Sequence, residues 1–204
     1  MKTAVLYGCY RRFSMDIKKG LSYVAFGFMF TLINVNFTFE SGTVNLMPDF
    51  VGWILFFLAY DKLGTYVSDK QYLKWLSLVL ACVNGAVWAA ELFNPELNLG
   101  ILNTVVGACQ AFYMFMLFEA LINIAGDFNS VRTEKLNTLR YFNLCIVIVL
   151  TVLGFLAEQF LLKDGTINPS AALTVGAISL IGFVAAFITM FTLFGLKKEI
   201  AARG

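Results

Sequence analysis

Most of the polar side chains that could do chemistry in this chain lie inside apolar stretches, where each of them is costly. In hydrocarbon, carboxylates and amides usually face the interior of a helix bundle and often mark a solute or proton pathway. Along four of the stretches such residues recur at helical spacing, so that each set shares one helix face. These sets are Asn36 with Glu40, Asn84 with Trp88 and Glu91, Asn103 with Gln110, and Thr151 with Glu158.

These faces predict a polar, acidic cavity that opens at the outer surface of a membrane and is flanked by Trp53 and Trp88. Asp49 adds a carboxylate one helical turn before Trp53. Carboxylates beside aromatic rings suit a small polar or cationic solute. The competing interpretation is structural, since amides also serve as hydrogen bonds between helices. An acidic residue after Pro48 is equally typical of a helix start, where it complements the helix dipole.

Glu119 stands apart from this set, in the fourth apolar stretch and nearer its other end, with Asn123 one turn later. A carboxylate inside a membrane is a candidate proton or cation site. The alternative is a structural glutamate that is protonated, or hydrogen-bonded to Asn123 or to a neighbouring helix.

Composition excludes several kinds of catalytic site. The chain has no histidine, which removes haem axial ligands, zinc-hydrolase sites and Ser-His-Asp triads. Its four cysteines form no CxxC pair and are typical of small apolar fillers: Cys9, Cys82, Cys109 and Cys145. There is no GxxxxGK[ST] motif and no basic face for nucleic acid. We therefore predict no metal, no cofactor, no nucleic-acid partner and no enzyme activity, and rank a carboxylate-only membrane enzyme last.

The apolar stretches predict an all-α integral membrane bundle of six transmembrane helices. Of 204 residues 59% are hydrophobic and 14% are charged, with a mean hydropathy of +0.77, against about a quarter charged in a soluble domain. A helix needs roughly 20 apolar residues to cross the hydrocarbon core. The predicted spans are 20–39, 48–63, 72–92, 99–125, 141–162 and 171–196. Residues 1–19 form an N-terminal segment without signal-peptide character, in which Met15 is an alternative start, and residues 197–204 form a tail.

Basic residues predict the orientation of these spans in a cell membrane. All but one of the 15 lysines and arginines fall in the N-terminal segment, the second and fourth connections and the C-terminal tail, and the exception is Lys163. The positive-inside rule places that side, with both termini, in the cytoplasm. The spans then form three helical hairpins that run in, out and back in. Their outer turns look alike at Gly42-Thr43-Val44-Asn45 and Gly165-Thr166-Ile167-Asn168, which is either an internal repeat or common turn chemistry.

Small residues at four-residue spacing predict close helix packing. Ala81, Gly85 and Ala89 form one stripe on the third helix. Shorter pairs occur on the fourth helix, Gly107 with Ala111, and on the sixth, Gly182 with Ala186. Such stripes let helix backbones approach where lipid provides no hydrophobic drive to associate.

The segment Asn45-Leu46-Met47-Pro48-Asp49-Phe50-Val51-Gly52 resembles one in small, uncharacterised bacterial polytopic membrane proteins. The resemblance covers chiefly the first helical hairpin. It implies a bacterial cell-membrane protein and supplies no activity. In size and helix count the chain also looks like the membrane-embedded substrate-binding subunits of energy-coupling vitamin transporters, an analogy of architecture alone.

Two functions follow from these features. The first is binding or transport of a small polar or cationic solute, alone or as the membrane-embedded subunit of a larger transporter. The second is a non-catalytic accessory or regulatory subunit of another membrane complex, such as an ABC transporter. The outer polar faces favour the first function, and the short loops suit the second.

Overall fold

The computed structural model describes the backbone of residues 2–32, 36–39, 42–45, 48–64, 66–67, 71–93, 100–160 and 169–203. Side chains are described mainly within 16–31, 48–67, 71–93, 102–149 and 176–202. In this part of the chain there are six helices and one short β-hairpin. The elements are α1 (Lys2–Leu32), β1 (Asn36–Phe39), β2 (Gly42–Asn45), α2 (Asp49–Leu63), α3 (Gln71–Phe93), α4 (Gly100–Asp127), α5 (Thr133–Phe160) and α6 (Pro169–Arg203).

The helical fold class is confirmed, with a helix at each predicted span. The bounds of α2, α3 and α4 lie within two residues of the prediction. The other helices extend into segments predicted to lie outside the spans: α1 begins at Lys2, α5 at Thr133, and α6 ends at Arg203. Charged residues end a transmembrane span but not a helix, because an amphipathic helix continues readily into interfacial water.

The first predicted span is wrong at its outer end. Helix α1 ends at Leu32, and Asn36 lies on β1, where it pairs with Asn45 in an antiparallel register that closes with Phe39 opposite Gly42. Asn36 therefore shares no helix face with Glu40, a residue outside the described ones. The physical reason is local: Asn36-Phe37-Thr38-Phe39 alternates polar and apolar residues with period two, which favours a strand. A hairpin also satisfies backbone groups between its two strands.

Within the described part of the chain, three helices are long and apolar enough to cross a membrane, which indicates a membrane protein. They are Gln71–Ala90 of α3, Thr104–Asp127 of α4 and Gly176–Ala202 of α6. Helix α2 has 15 residues, or about 22 Å at 1.5 Å per residue, against a hydrocarbon core of about 30 Å. That shortfall explains why α2 does not qualify by length.

Neighbouring helices pack in chain order around the bundle, and α6 closes the circle against α1. The contact between α3 and α4 is the sparsest in this circle. Aromatic side chains from α1, α2 and α4 fill the interior, with ring centroids 5.1 to 5.6 Å apart. They are Phe28, Trp53, Phe56, Tyr113 and Phe118, all buried. We call these five residues the aromatic core.

Glycines set the closest approach between α1 and α2. A Cβ atom on Gly52 would lie 2.7 Å from the Gly27 carbonyl oxygen and 2.5 Å from the Thr31 Cγ2 atom. Neither glycine belongs to the predicted small-residue stripes. Two stripe residues do lie at helix contacts: a Cβ on Gly85 would meet Phe50 at 3.6 Å, and one on Gly182 would meet Ile146 at 3.3 Å.

Charged side chains connect the helices at one end of the bundle, which we call the basic end. Four polar contacts lie at this end. They are Lys62 Nζ to Asp16 Oδ1 at 3.6 Å, Lys74 Nζ to Asp61 Oδ1 at 2.6 Å, Lys197 Nζ to Ser22 Oγ at 2.8 Å, and Arg132 Nε to Glu199 Oε1 at 2.7 Å. These contacts place the middle of α1 and the ends of α2 and α6 beside the start of α3 and the α4–α5 turn. The basic residues of these four contacts, which the sequence assigns to one side of the membrane, therefore lie at one end of the bundle.

Candidate functional site

An amide pair joins α3 to α4 in the half of the bundle away from the basic end. Gln110 Nε2 donates to Asn84 Oδ1 at 3.2 Å, and Asn84 Nδ2 donates to the Leu80 carbonyl oxygen at 2.7 Å. Both amides are partly buried. The structure thus brings together two predicted site residues 26 positions apart in sequence. The hydrogen bond lies at the sparsest helix contact of the circle.

Aromatic side chains stand beside this amide pair. Trp88, one turn beyond Asn84 on α3, packs on Phe50 of α2 with ring centroids 5.5 Å apart and planes tilted by 59°. Gly85, also on α3, leaves room for the Phe50 ring. Asp49 precedes Phe50 in the first turn of α2 and is partly buried. Hence the start of α2, which carries Asp49, meets the second half of α3 at Gly85 and Trp88.

Trp53 does not flank the cavity, as the sequence predicted, but lies in the aromatic core. Its side chain is 1% exposed, with its ring centroid 5.1 Å from Tyr113 and 5.4 Å from Phe56. An indole is large and apolar apart from one N–H group, so most of its surface is stabilised by packing between aromatic rings. The Nε1–H group is buried and has no hydrogen-bond partner among the described residues. Asp49 is four positions earlier on the same helix face.

The remaining predicted residues of the cavity cannot be placed as side chains. Glu91 lies near the end of α3, Asn103 near the start of α4, and Thr151 and Glu158 on the second half of α5, where only the backbone is described. Glu40 lies outside the described residues, as does the third outer turn at 165–168. The structure therefore pairs Asn84 with Gln110, places Trp88 one turn beyond Asn84, and puts Asp49 next to Phe50, whose ring packs on Trp88. The other members stay sequence predictions. We call Asp49, Asn84, Trp88 and Gln110 the polar cluster.

Glu119 forms an ion pair that the sequence analysis left unassigned. Arg140 of α5 approaches its Oε2 atom to 3.2 Å, and the Arg140 guanidinium lies 3.6 Å from the centroid of the Phe115 ring. The Arg140 side chain is only 14% exposed. Asn123, one turn after Glu119, is exposed. This geometry favours the structural interpretation, in which Glu119 bonds to a neighbouring helix, over a proton or cation site shared with Asn123.

Two residues that contact the candidate residues were not identified from the sequence: Phe50, which packs on Trp88, and Arg140, which pairs with Glu119. Phe50 carries only an apolar side chain and gave no polar signal, although its position after Asp49 at the start of a helix was known. Arg140 was predicted to precede the fifth span, whereas α5 begins at Thr133 and carries it on its first turns. A helix start assigned from the Thr133-Glu134 pair would have placed Arg140 on the helix.

Metal binding finds no support in the described part of the chain, which holds no group of three or more acidic or cysteine side chains placed to bind an ion. Comparisons with known protein families, with curated proteins and with solved structures give no match. Interpretation of the polar cluster therefore rests on its own geometry.

Proposed function

We propose that this protein binds a small polar or cationic solute at the polar cluster, in the outer half of a six-helix membrane bundle. The observation that carries the proposal is the Gln110–Asn84 hydrogen bond between α3 and α4, with Phe50 of α2 packed on Trp88 one turn beyond Asn84. Asp49 precedes Phe50 in the first turn of α2. A carboxylate, two amides and an indole provide charge, hydrogen bonds and an aromatic face for such a solute. Pockets for small molecules commonly combine an apolar wall with a few convergent polar groups.

Unused hydrogen-bonding capacity supports binding over simple interhelical adhesion. A primary amide offers two N–H donors and one carbonyl acceptor. Within the described residues, no group donates to Gln110 Oε1, and only one N–H of Asn84 is used. The buried indole N–H of Trp53 also lacks an acceptor there. The partly buried amides therefore keep donors and an acceptor that a solute or ordered water can use.

The aromatic core favours binding over an open pore. Its five side chains are buried between the polar cluster and the basic end, with ring centroids 5.1 to 5.6 Å apart. A solute at the polar cluster would have to displace these rings to pass through. Transport therefore requires a rearrangement of the bundle or a partner subunit that drives one.

The proposal includes six membrane crossings with the basic end and both termini in the cytoplasm. The clustering of charged side chains at that end, together with the positive-inside rule, supports this orientation. A single cysteine at exposed Lys198, in a chain whose four native cysteines are replaced by alanine, tests it. We expect an impermeant thiol reagent to label Lys198→Cys only after the membrane is opened, and labelling of intact cells would reverse the orientation.

Tryptophan fluorescence tests the site. Of the three tryptophans, Trp75 is exposed at 58% on the lipid-facing side of α3, so Trp75→Phe leaves only Trp53 and Trp88 as reporters. This protein is titrated with quaternary ammonium ions, amino acids and polyols. We expect at least one class to give a saturable change, weakened about fivefold or more in Asn84→Ala by loss of one hydrogen bond of about 1 kcal/mol.

Asn137→Ala is the matched control, because Asn137 is an exposed amide on α5 near the basic end. Its titration should equal that of the reporter protein. Equal titrations for Asn84→Ala and Asn137→Ala would overturn the site. An accessory subunit, the alternative function, would instead show no saturable response and would purify with a second membrane protein.

A further inference from the structure

A cavity of about 290 Å³ opens at the basic end, away from the polar cluster. Its wall comes from three helices: α1, the end of α2 and the end of α6. The lining residues are Lys18, Lys19, Ser22, Tyr23, Lys62 and Lys197. The volume is close to the lower end of the range for pockets that hold small organic ligands, about 300 Å³. We call this cavity the lysine pocket.

The charge of the lysine pocket is only partly compensated. No acidic residue lines it, and the nearest described carboxylate contact is that of Asp16 with Lys62, at a long 3.6 Å. Lys18 and Lys19 have no carboxylate partner among the described residues. Four ammonium groups converging on one cavity repel each other, and an anion bound between them would remove that repulsion.

Hydroxyl groups in the wall are placed to orient an anion. Lys197 Nζ donates to Ser22 Oγ at 2.8 Å, and Ser22 Oγ donates to the Lys18 carbonyl oxygen at 2.9 Å. Lys197 is thereby held over the cavity with two N–H donors to spare. Tyr23, partly buried in the wall, adds a phenol donor. This set of ammonium and hydroxyl donors suits the oxygens of a phosphate group.

An apolar surface adjoins the lysine pocket. Phe26 lies one helical turn after Ser22 on α1, and Phe194 lies three residues before Lys197 on α6, with their ring centroids 5.8 Å apart. Phe26 is 44% exposed and nearby Phe191 is 65% exposed. A ligand in the pocket can therefore contact basic donors at one end and exposed rings at the other. This combination favours an amphiphilic anion.

We propose that the lysine pocket binds a phosphate group, and that its source is the headgroup of an anionic phospholipid whose acyl chains lie on the Phe26 and Phe191 surface. Basic pockets between transmembrane helices on the cytoplasmic side bind such headgroups in other membrane proteins. The binding step needs no particular solute at the polar cluster, so it stands independently of the proposed function. Only the choice of the cytoplasmic leaflet depends on the proposed orientation.

The test measures thermal stability of the purified full chain in nonionic detergent. Phosphatidylglycerol, phosphatidylcholine and inorganic phosphate are added separately, since a ligand that binds the folded state raises its apparent stability. The site variant is Lys18→Gln combined with Lys197→Gln. Lys198→Gln is the matched control, because Lys198 is an exposed neighbour on α6 that does not line the cavity.

We expect phosphatidylglycerol, and not phosphatidylcholine, to stabilise the wild type and Lys198→Gln. The double variant should need a roughly 30-fold higher lipid concentration for the same shift, since it removes two lysines that each contribute roughly fivefold near an anionic lipid. Stabilisation by inorganic phosphate at the same concentration as the lipid would keep the phosphate site but overturn the lipid source. Equal lipid shifts in all three proteins, or no lipid shift in the wild type, would overturn the pocket.

Discussion

Replacing Gly52 with alanine should destabilise the bundle, because Gly52 sets the contact between α1 and α2. The new Cβ atom would lie 2.7 Å from the Gly27 carbonyl oxygen and 3.1 Å from the Thr31 backbone nitrogen. Both of these are backbone atoms, so no side-chain rotation relieves the overlap, and the helices must separate by several tenths of an ångström. Overpacking of this kind costs about 1–3 kcal/mol.

Gly176→Ala is the control, because a Cβ there has nothing within 4 Å. It should stabilise the protein by about 0.5–1 kcal/mol through helix propensity alone. The two variants should therefore differ by roughly 2–4 kcal/mol in the free energy of unfolding. Reversible unfolding in mixed micelles, followed by loss of helical circular dichroism, measures that difference.

Gly52→Ala should also weaken solute binding, since α2 carries Asp49 and Phe50 into the site. The expected order is a large loss for Gly52→Ala and none for Gly176→Ala. If both alanine variants unfold at the same free energy, α1 and α2 do not approach as closely as the structure has them. The placement of the polar cluster would then lose its support.

Three further predictions concern single contacts. The free energy of unfolding should fall by about 0.6 kcal/mol in Asn84→Ala and in Gln110→Ala, the average for hydrogen bonds between membrane helices. A double-mutant cycle should show that the two losses are coupled. Additive losses would mean that the amides do not pair. Arg140→Leu should lower the melting temperature more than Glu119→Gln. Both variants lose the ion pair, but Arg140→Leu also loses the cation–π contact with Phe115, worth about 0.5–2 kcal/mol. The reverse order would contradict the pairing of Arg140 with Glu119. Asn129 has a φ of 45° in the turn after α4. Asn129→Ala should therefore destabilise the protein by about 1 kcal/mol, while Asn129→Gly should not. Equal unfolding free energies for these two variants would exclude the left-handed turn.

The helices were predictable because long apolar runs separated by charged connections leave few alternatives in a membrane protein. Their bounds were less predictable at charged ends, since Thr133 starts α5 well before its apolar run. The β-hairpin was missed because a window of about 20 residues treats 20–39 as one span and averages away the alternation that begins at Asn36. A strand of four residues can be recognised only in a window short enough to resolve its two-residue alternation.

The members of the polar cluster were predictable, whereas their partners were not. Helical spacing shows that Asn84 and Trp88 share one face of α3, and the structure agrees. The register between two helices depends on how their side chains interlock, so nothing in the sequence pairs Asn84 with Gln110 or Glu119 with Arg140. Trp53 was assigned to the rim because tryptophan is enriched at membrane interfaces, yet it is buried against Phe56 and Tyr113.

The most direct test of solute binding is native mass spectrometry of the protein extracted gently from its own membrane. We predict a small retained mass in the wild type that is lost in Asn84→Ala combined with Gln110→Ala and kept in the control Asn137→Ala. Its identification would name the solute. A wild type that retains no small mass but carries a second protein subunit would contradict solute binding and support the accessory role.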